Sequence, residues 1–217
     1  MTGKLAGDPS NQRSSASDKQ DLLQEAQEQF VLDTRVLRDS TTDSTVANQQ
    51  EYSLPSDVMD IIRIGIAGIE KGRISKADLD FYNSARWDQT QGTPQYYYVD
   101  LDPNNKKFGL YPYPTASGSS DIAIEYLKIP PTLSADSSVP LDSHTLLTPY
   151  HNALAYYAAA NLCRTGRSGF PLQDALIKGN GYWGEYERLV SHCIETFKHM
   201  EQSQGWRMIG GRYHKNL

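Results

Sequence analysis

The sequence predicts an α+β protein, a helical bundle formed by N-terminal and C-terminal helices with a β-rich insert and an extended C-terminal tail. Three observations support this class. Apolar residues recur at helical spacing early in the chain, β-branched and alternating segments fill its middle, and helical spacing returns in its last third. Helices at both ends separated by strands favour segregated α and β elements over repeated βαβ units.

The same patterns predict five segments. Residues 1–19 are expected to be flexible because Ser, Asn, Gly and Lys dominate them. Gly205, Gly210 and Gly211 isolate a tail beyond the last helix. The expected segments are a flexible N-terminal segment (1–19), the first helix of the bundle (20–44), the β-rich insert (45–133), the C-terminal helices of the bundle (134–204) and a C-terminal docking tail (205–217).

The first helix is predicted from its cap and its apolar period. Ser17 and Gln20 have the spacing of a capping box. The residues that recur near the helical period are Leu22, Ala26, Phe30 and Leu37. The helix should end around Arg38, because residues 39–44 are all Asp, Ser or Thr.

Strands are predicted through the insert, with one short helical piece at residues 76–82. Residues 61–66 are dense in isoleucine, and residues 122–129 alternate apolar and other side chains before Pro130 and Pro131 end the run. Further strands are expected at 95–99 and 108–112, on either side of a turn.

Two helices are predicted in the last third. One runs from about residue 143 to 164, and the other begins near Pro171, which suits a first helical turn, and continues to about residue 202. Gly179 and Gly181 each cost about 1 kcal/mol inside a helix, so a kink or break is expected there.

Composition excludes several classes of protein. No apolar run approaches the roughly 18 residues of a membrane span, so the protein is expected to be soluble and without a membrane partner. The two cysteines, Cys163 and Cys193, cannot form a disulfide framework and are expected to be buried free thiols. The net charge of −5 disfavours general DNA binding, although residues 205–217 carry three bases and no acid.

Motifs that could carry chemistry do not have the required context. Residues 179–184 match G-x-G-x-x-G, but the fingerprint needs a preceding strand, and a helix is expected there instead. Residues 100–104 begin like a calcium loop, yet Asn105 and Tyr111 stand where Gly and Glu are needed. His192 and His199 lack any zinc-ligand spacing. We therefore expect no catalytic residue, no metal site and no cofactor.

The tyrosines of the insert admit two interpretations. They could form a stacking platform for single-stranded nucleic acid, but only Lys106 and Lys107 lie between the two aromatic runs. Packing in a sheet and at subunit contacts is the favoured interpretation. The subunit-contact candidates are Tyr96, Tyr98, Tyr111 and Tyr113.

Short motifs follow one another in a characteristic order over about residues 50–165. They are EYSLPSD at 51–57, the isoleucine strand at 61–66, ARW at 85–87, GTPQYYY at 92–98, FGLYPYP at 108–114, IEY at 124–126, PPTL at 130–133 and VP at 139–140. In their order and spacing these motifs resemble a known family, the head-to-tail connector adaptors of tailed bacteriophages and gene-transfer particles.

The resemblance implies a structural virion protein and not an enzyme. It implies a twelve-fold ring of self-associating copies beneath the portal protein, above a tail or nozzle protein, through which genomic DNA passes transiently. It places the protein at the head–tail interface of the virion, and in the host cytoplasm during assembly. It also implies a helical bundle built from both chain ends around a β-rich insert.

The C-terminal tail is the candidate docking segment for the portal or a neighbouring copy. Its aromatic and aliphatic residues could fill pockets while its bases pair with carboxylates at the rim. The candidate docking residues are Trp206, Arg207, Met208, Ile209, Arg212 and Tyr213. A phage-encoded nucleic-acid-binding accessory protein is the alternative function, and an unrecognised enzyme ranks third.

Overall fold

A computed structural model describes residues 5–7, 14–82, 86–102, 105–134, 139–143, 145–203, 206–209 and 212–215. It confirms the predicted α+β class. The described residues fall into two compact units, one drawn from residues 1–37 and 129–203, the other from residues 38–128 and 204–217.

The α-helices of the described residues are α1 (Ala16–Thr34), α2 (Lys76–Tyr82), α3 (His151–Arg164) and α4 (Leu172–Ser203). The strands are β1 (Arg38–Asp43), β2 (Glu51–Ser53), β3 (Val58–Ile66), β4 (Ile69–Glu70), β5 (Gly72–Arg73), β6 (Gln91–Gly92), β7 (Tyr96–Asp102), β8 (Asn105–Tyr111), β9 (Tyr113–Pro114), β10 (Ile122–Lys128), β11 (Trp206–Ile209) and β12 (Arg212–Lys215).

Helix α1 begins and ends earlier than the sequence predicted. Its capping box is formed by Ser15 and Asp18, and not by Ser17 and Gln20. The Asp18 amide donates to Ser15 Oγ at 3.0 Å, and the Ser15 amide donates to Asp18 Oδ2 at 2.9 Å. The helix ends at Thr34 because Arg35 adopts a left-handed conformation with φ of 54°.

The helical unit packs α1, α3 and α4 around one apolar core. Its fully buried members include Phe30 of α1, Leu154 and Leu162 of α3, and Cys193 of α4. Two buried tyrosines also bind carboxylates on α1. Tyr157 donates its hydroxyl to Glu25 Oε1 at 2.9 Å, and Tyr186 donates to Asp33 Oδ2 at 2.6 Å. These hydrogen bonds tie α3 and α4 to α1 as well as satisfying the buried hydroxyls.

Helix α4 runs without interruption for 32 residues, so the break that was one of the two outcomes predicted at Gly179 and Gly181 does not occur. Gly179 is buried against α3, and a Cβ atom there would lie 3.1 Å from Cys163 Cβ. The glycine therefore lets α3 and α4 approach closely. The packing of the two helices offsets the free-energy cost of glycine in a helix. The other predicted helix also changes, because residues 145–150 form a 3₁₀ helix before α3 begins at His151.

The β unit contains two four-stranded sheets with the orders β1-β10-β3-β4 and β2-β8-β7-β5. Apolar side chains from both sheets form one buried cluster, which includes Tyr52, Ile64, Tyr97, Phe108 and Ile124. The strands predicted at 61–66, 95–99, 108–112 and 122–129 correspond to β3, β7, β8 and β10 of these sheets, with ends that differ by one or more residues. The sequence pattern thus predicted the strands, and the sheets bury them face to face.

Strand β1 occupies the polar residues before which the first helix was expected to end, within the segment 20–44 assigned to that helix. It pairs antiparallel with β10 over its full length, from Arg38 opposite Leu127 to Asp43 opposite Ile122. The carboxylates of Asp39 and Asp43 accept from the amides of the residues that follow them, at 2.7 and 2.8 Å. Charged side chains that accept hydrogen bonds from amides of their own strand disfavour the pairing of this edge strand with another chain.

The C-terminal segment forms a two-stranded antiparallel ribbon, where an extended tail was predicted. Strands β11 and β12 pair from Trp206 opposite Lys215 to Ile209 opposite Arg212. Among the helices that the structure describes, none combines the length and apolar content that crossing a membrane requires.

Candidate interaction surfaces

The four predicted contact tyrosines lie in the β unit at different depths. Tyr96 and Tyr111 stand directly opposite each other on β7 and β8, and the side chain of Tyr96 is 46% exposed. Tyr111 is half-buried, and so is Tyr113, which belongs to the small parallel pair of β6 and β9. The sheet therefore brings Tyr96 and Tyr111 together at its surface.

Tyr98 is a core residue and not a surface residue, since only 2% of it is exposed. Its ring lies over Gly109 on the neighbouring strand and makes an edge contact with Trp87, with centroids 5.3 Å apart. Its hydroxyl donates to Glu51 Oε1 at 3.4 Å. Burial and the negative charge of Glu51 raise the pKa of the Tyr98 hydroxyl above its ordinary value.

Burial also removes the stacking-platform interpretation of the tyrosine run. Tyr97 and Tyr98 are 3% and 2% exposed, so neither ring can present a face to a base. A platform requires successive exposed rings along a basic groove. Of the three consecutive tyrosines, Tyr96 is the exposed one.

The six predicted docking residues all lie in the C-terminal ribbon. Trp206, Arg207, Met208 and Ile209 form β11, while Arg212 and Tyr213 begin β12. The register places Met208 opposite Tyr213 and Ile209 opposite Arg212. The backbone therefore gathers these residues on one short ribbon, and their side chains lie outside the described part of the structure.

Three exposed aliphatic residues that the sequence analysis did not single out lie on the first turns of α4. Leu172 is 68% exposed, Leu176 is 47% exposed and Ile177 is 72% exposed. One turn and two turns after Ile177, Gly181 and Gly184 each have no heavy atom within 4 Å of the position that a Cβ would occupy. Ile177, Gly181 and Gly184 lie on one side of the helix, whereas Leu172 lies on the side opposite Gly181. We call Ile177, Gly181 and Gly184 the α4 ridge.

Close packing against α3 explains Gly179 but not the two glycines of the α4 ridge. Each costs about 1 kcal/mol relative to alanine in a helix interior. Gly179 offsets this by letting α3 approach, whereas the described residues leave open space around Gly181 and Gly184. Glycine at an exposed helix position leaves the backbone accessible to close approach.

A second uncovered surface is a trough on the outer face of the β1-β10-β3-β4 sheet, with a volume of about 560 Å³. Thr42, Ala123 and Gly65 stand side by side across β1, β10 and β3 and form its floor. An ion pair of Arg63 with Glu125 lies two residues further along β3 and β10, and Glu70 stands beside Gly65 on β4. We call this feature the sheet trough.

A larger and more open groove on the other sheet has a volume of about 740 Å³ and is polar. Lys76 crosses it and pairs with Asp100 at 3.0 Å. The hydrogen bond from Lys76 and its positive charge hold the pKa of the Asp100 carboxyl below its ordinary value. Because the lining of this groove is more polar than that of the sheet trough, it offers less apolar surface to a partner.

The residues that the sequence analysis considered as metal, thiol or nucleotide sites lie in positions that packing and helix formation explain. Within the described residues, no group of three His, Cys, Asp or Glu side chains could hold a metal ion. Cys163 and Cys193 are both fully buried, and burial raises the pKa of the Cys193 thiol to about 12. The G-x-G-x-x-G residues lie inside α4, where the helix engages their amides, and not at a strand-to-helix turn.

Uncovered apolar surfaces of this kind are typical of proteins that bind other proteins. Residues 3–192 match the model of the family described as SU10 adaptor protein. The match spans most of the chain, and the chain belongs to this family. It is accordingly a phage adaptor-type protein of the virion, a role that implies structure and not catalysis. No curated protein matches the chain.

Proposed function

We propose that the protein is a head-to-tail adaptor that forms a ring beneath the portal and continues the DNA channel to the tail. The observation that carries this proposal is the adaptor-family match over residues 3–192, which spans both the helical unit and the β unit. The two uncovered surfaces support it, because a ring requires each copy to present two different contact faces.

In this proposal the ring contains twelve copies and lies at the head–tail interface of the virion. The portal protein binds above it, a tail or nozzle protein binds below it, and the ring assembles in the host cytoplasm. The chain carries a net charge of −5. An acidic ring neither grips nor stalls DNA in transit, since phosphates meet few cations.

The C-terminal ribbon is the proposed docking element. It lies beyond the residues that match the family model, and it combines three bases with no acid. Trp206 and Tyr213 are the proposed anchors in pockets of the portal or a neighbouring copy, next to Met208 and Ile209. Arg207 and Arg212 pair with carboxylates at the rim, where a planar guanidinium can bind both oxygens.

Negative-stain imaging of the purified protein mixed with its portal tests the ring. Rings capping the portal are the expected result, and particles in which the two proteins stay separate would refute the function. Wild-type protein without portal is the control for rings that form unaided.

Deletion of residues 205–217 tests the docking element. The helical circular dichroism and the melting temperature should stay nearly unchanged, while assembly onto the portal is lost. The double substitutions Trp206→Ala with Tyr213→Ala and Arg207→Gln with Arg212→Gln separate the anchors from the bases. A deletion that lowers the melting temperature and still permits docking would show that the ribbon stabilises its own chain instead.

A further inference from the structure

We propose that residues 5–7 form a latch whose closure onto the turn between α3 and α4 keeps the first turns of α4 helical. We call Leu5, Ala6 and Gly7 the N-terminal latch. The proposal concerns the helical unit, to which the latch and α4 both belong, and it does not depend on the proposed ring.

The N-terminal latch is hydrogen-bonded on both sides of the point where α4 begins. The Gly169 amide, in the turn before the helix, donates to Ala6 O at 2.9 Å. The Tyr182 hydroxyl, on α4 itself, donates to Leu5 O at 2.7 Å. Because both acceptors are main-chain carbonyls of adjacent residues, the backbone of the latch bridges the turn and the helix.

The place that the latch occupies admits only small side chains. Ala6 is fully buried, with 0% of its surface exposed. Gly7 has a left-handed φ of 70°, and a Cβ atom there would lie 2.8 Å from Cε1 and Cζ of Phe170. The ammonium of Lys178 on α4 lies 3.4 Å from the centroid of the same ring. Phe170 therefore connects the latch to the second turn of α4.

The first two turns of α4 have little packing of their own. Of residues 172–178, all of which the structure describes, Ala175 is the buried one. Close packing against α3 is next found at Gly179. A helical stretch of two turns is unstable in water without tertiary contacts, so the contacts at its two ends decide whether it stays folded.

A second contact of the same turn is weaker than the latch. Arg167 pairs with Asp18 at 2.8 Å, but the Arg167 side chain is 47% exposed, and exposed ion pairs contribute little to stability. Opening of the latch therefore releases residues 172–178, while packing against α3 holds the rest of the helix. The three exposed aliphatic residues of these turns are presented on a helix only while the latch is closed.

The substitution Ala6→Glu tests the latch, because a carboxylate without a partner is too costly to bury at a position that is 0% exposed. Amide hydrogen exchange, resolved by residue with NMR, is the measurement. The Gly169 amide reports latch closure, and the amides of residues 175–178 report the first turns of α4. Both should exchange faster by about tenfold or more, as the loss of two hydrogen bonds implies. The amides of residues 186–193, a stretch in which Tyr186 and Cys193 are buried, should be unchanged.

Ala16→Glu is the matched control, since Ala16 is an exposed alanine at the start of α1. It should leave all of these amides unchanged. In Ala6→Glu, faster exchange at Gly169 alone would overturn the coupling between latch and helix, and unchanged exchange at Gly169 would overturn the latch itself. Equal acceleration along the whole of α4 would show a general loss of stability and would also overturn the proposal.

A second variant removes one latch contact and leaves the buried alanine in place. Tyr182→Phe deletes the hydroxyl and keeps the ring, which stacks on Tyr156 with centroids 6.1 Å apart. It should accelerate exchange at Gly169 and at residues 175–178 by about two- to tenfold. Added to Ala6→Glu it should have no further effect, because the latch is already open. Independent, additive effects of the two substitutions would contradict the proposal, since Tyr182 would then stabilise α4 through another contact.

Discussion

Substitution of Gly109 by alanine should destabilise the β unit through one side chain, Tyr98. A Cβ atom at position 109 would lie 2.0 Å from Tyr98 Cζ and 2.3 Å from its hydroxyl oxygen. The phenol ring must therefore leave its place, which also breaks its edge contact with Trp87 and its hydrogen bond to Glu51.

The magnitude follows from the burial of that ring. Tyr98 is 2% exposed, and burying a tyrosine removes about 150–250 Å² from water, which at about 25 cal/mol/Å² stabilises by about 4–6 kcal/mol as an upper bound. Because the ring can repack in part, we expect Gly109→Ala to lower the free energy of unfolding by about 2–4 kcal/mol. In a Tyr98→Ala background the same substitution should cost less than about 1 kcal/mol, giving a coupling of about 1–4 kcal/mol.

Urea denaturation followed by near- and far-ultraviolet circular dichroism measures the free energy of unfolding of the wild type, of each single variant and of the double variant. Gly65→Ala is the matched control, because a Cβ there would meet Ile69 O at an ordinary 3.7 Å. A Gly109→Ala protein as stable as the wild type, or a loss that persists unchanged without Tyr98, would refute the reasoning.

Three further predictions concern the thiols, acid stability and DNA. Cys163→Ala and Cys193→Ala should each lower the free energy of unfolding by about 1–2 kcal/mol, and neither thiol should react with a thiol reagent before unfolding; rapid reaction in the native protein would contradict this. Burial lowers the pKa of His151 in the folded protein below its ordinary 6.5. Between the two pKa values the unfolded state therefore binds more protons than the folded state, so the free energy of unfolding decreases as pH falls through 6.5 towards the folded pKa. His151→Leu should flatten that part of the stability–pH curve in urea titrations, and an unchanged slope would reject His151 as its source. The isolated protein should show no measurable duplex DNA binding at about 150 mM salt in a filter or anisotropy assay, and submicromolar binding with a steep salt dependence would favour a nucleic-acid-binding function.

The sequence by itself determined the class of fold and the family. Helical spacing at both ends and β-branched runs between them are local patterns, and each depends on side chains within a single element. The ordered motifs over about residues 50–165 carried the resemblance to phage adaptors, and the family match spans residues 3–192. Local periodicity and motif order survive any change in how the elements pack.

Tertiary structure alone decided which residues are covered. Tyr96 and Tyr98 look alike in sequence, yet Gly109 on the next strand gives Tyr98 a place to bury its ring. Gly179 is a residue that usually disfavours helix, and its place in α4 is explained only by the close packing of α3 against it. The polar residues 38–43 form a strand because β10 supplies their hydrogen bonds. The sheet trough needs Thr42, Ala123 and Gly65 from three strands that lie far apart in the chain. Non-local pairing sets these outcomes, because the free energy of each residue depends on a partner that its own segment does not contain.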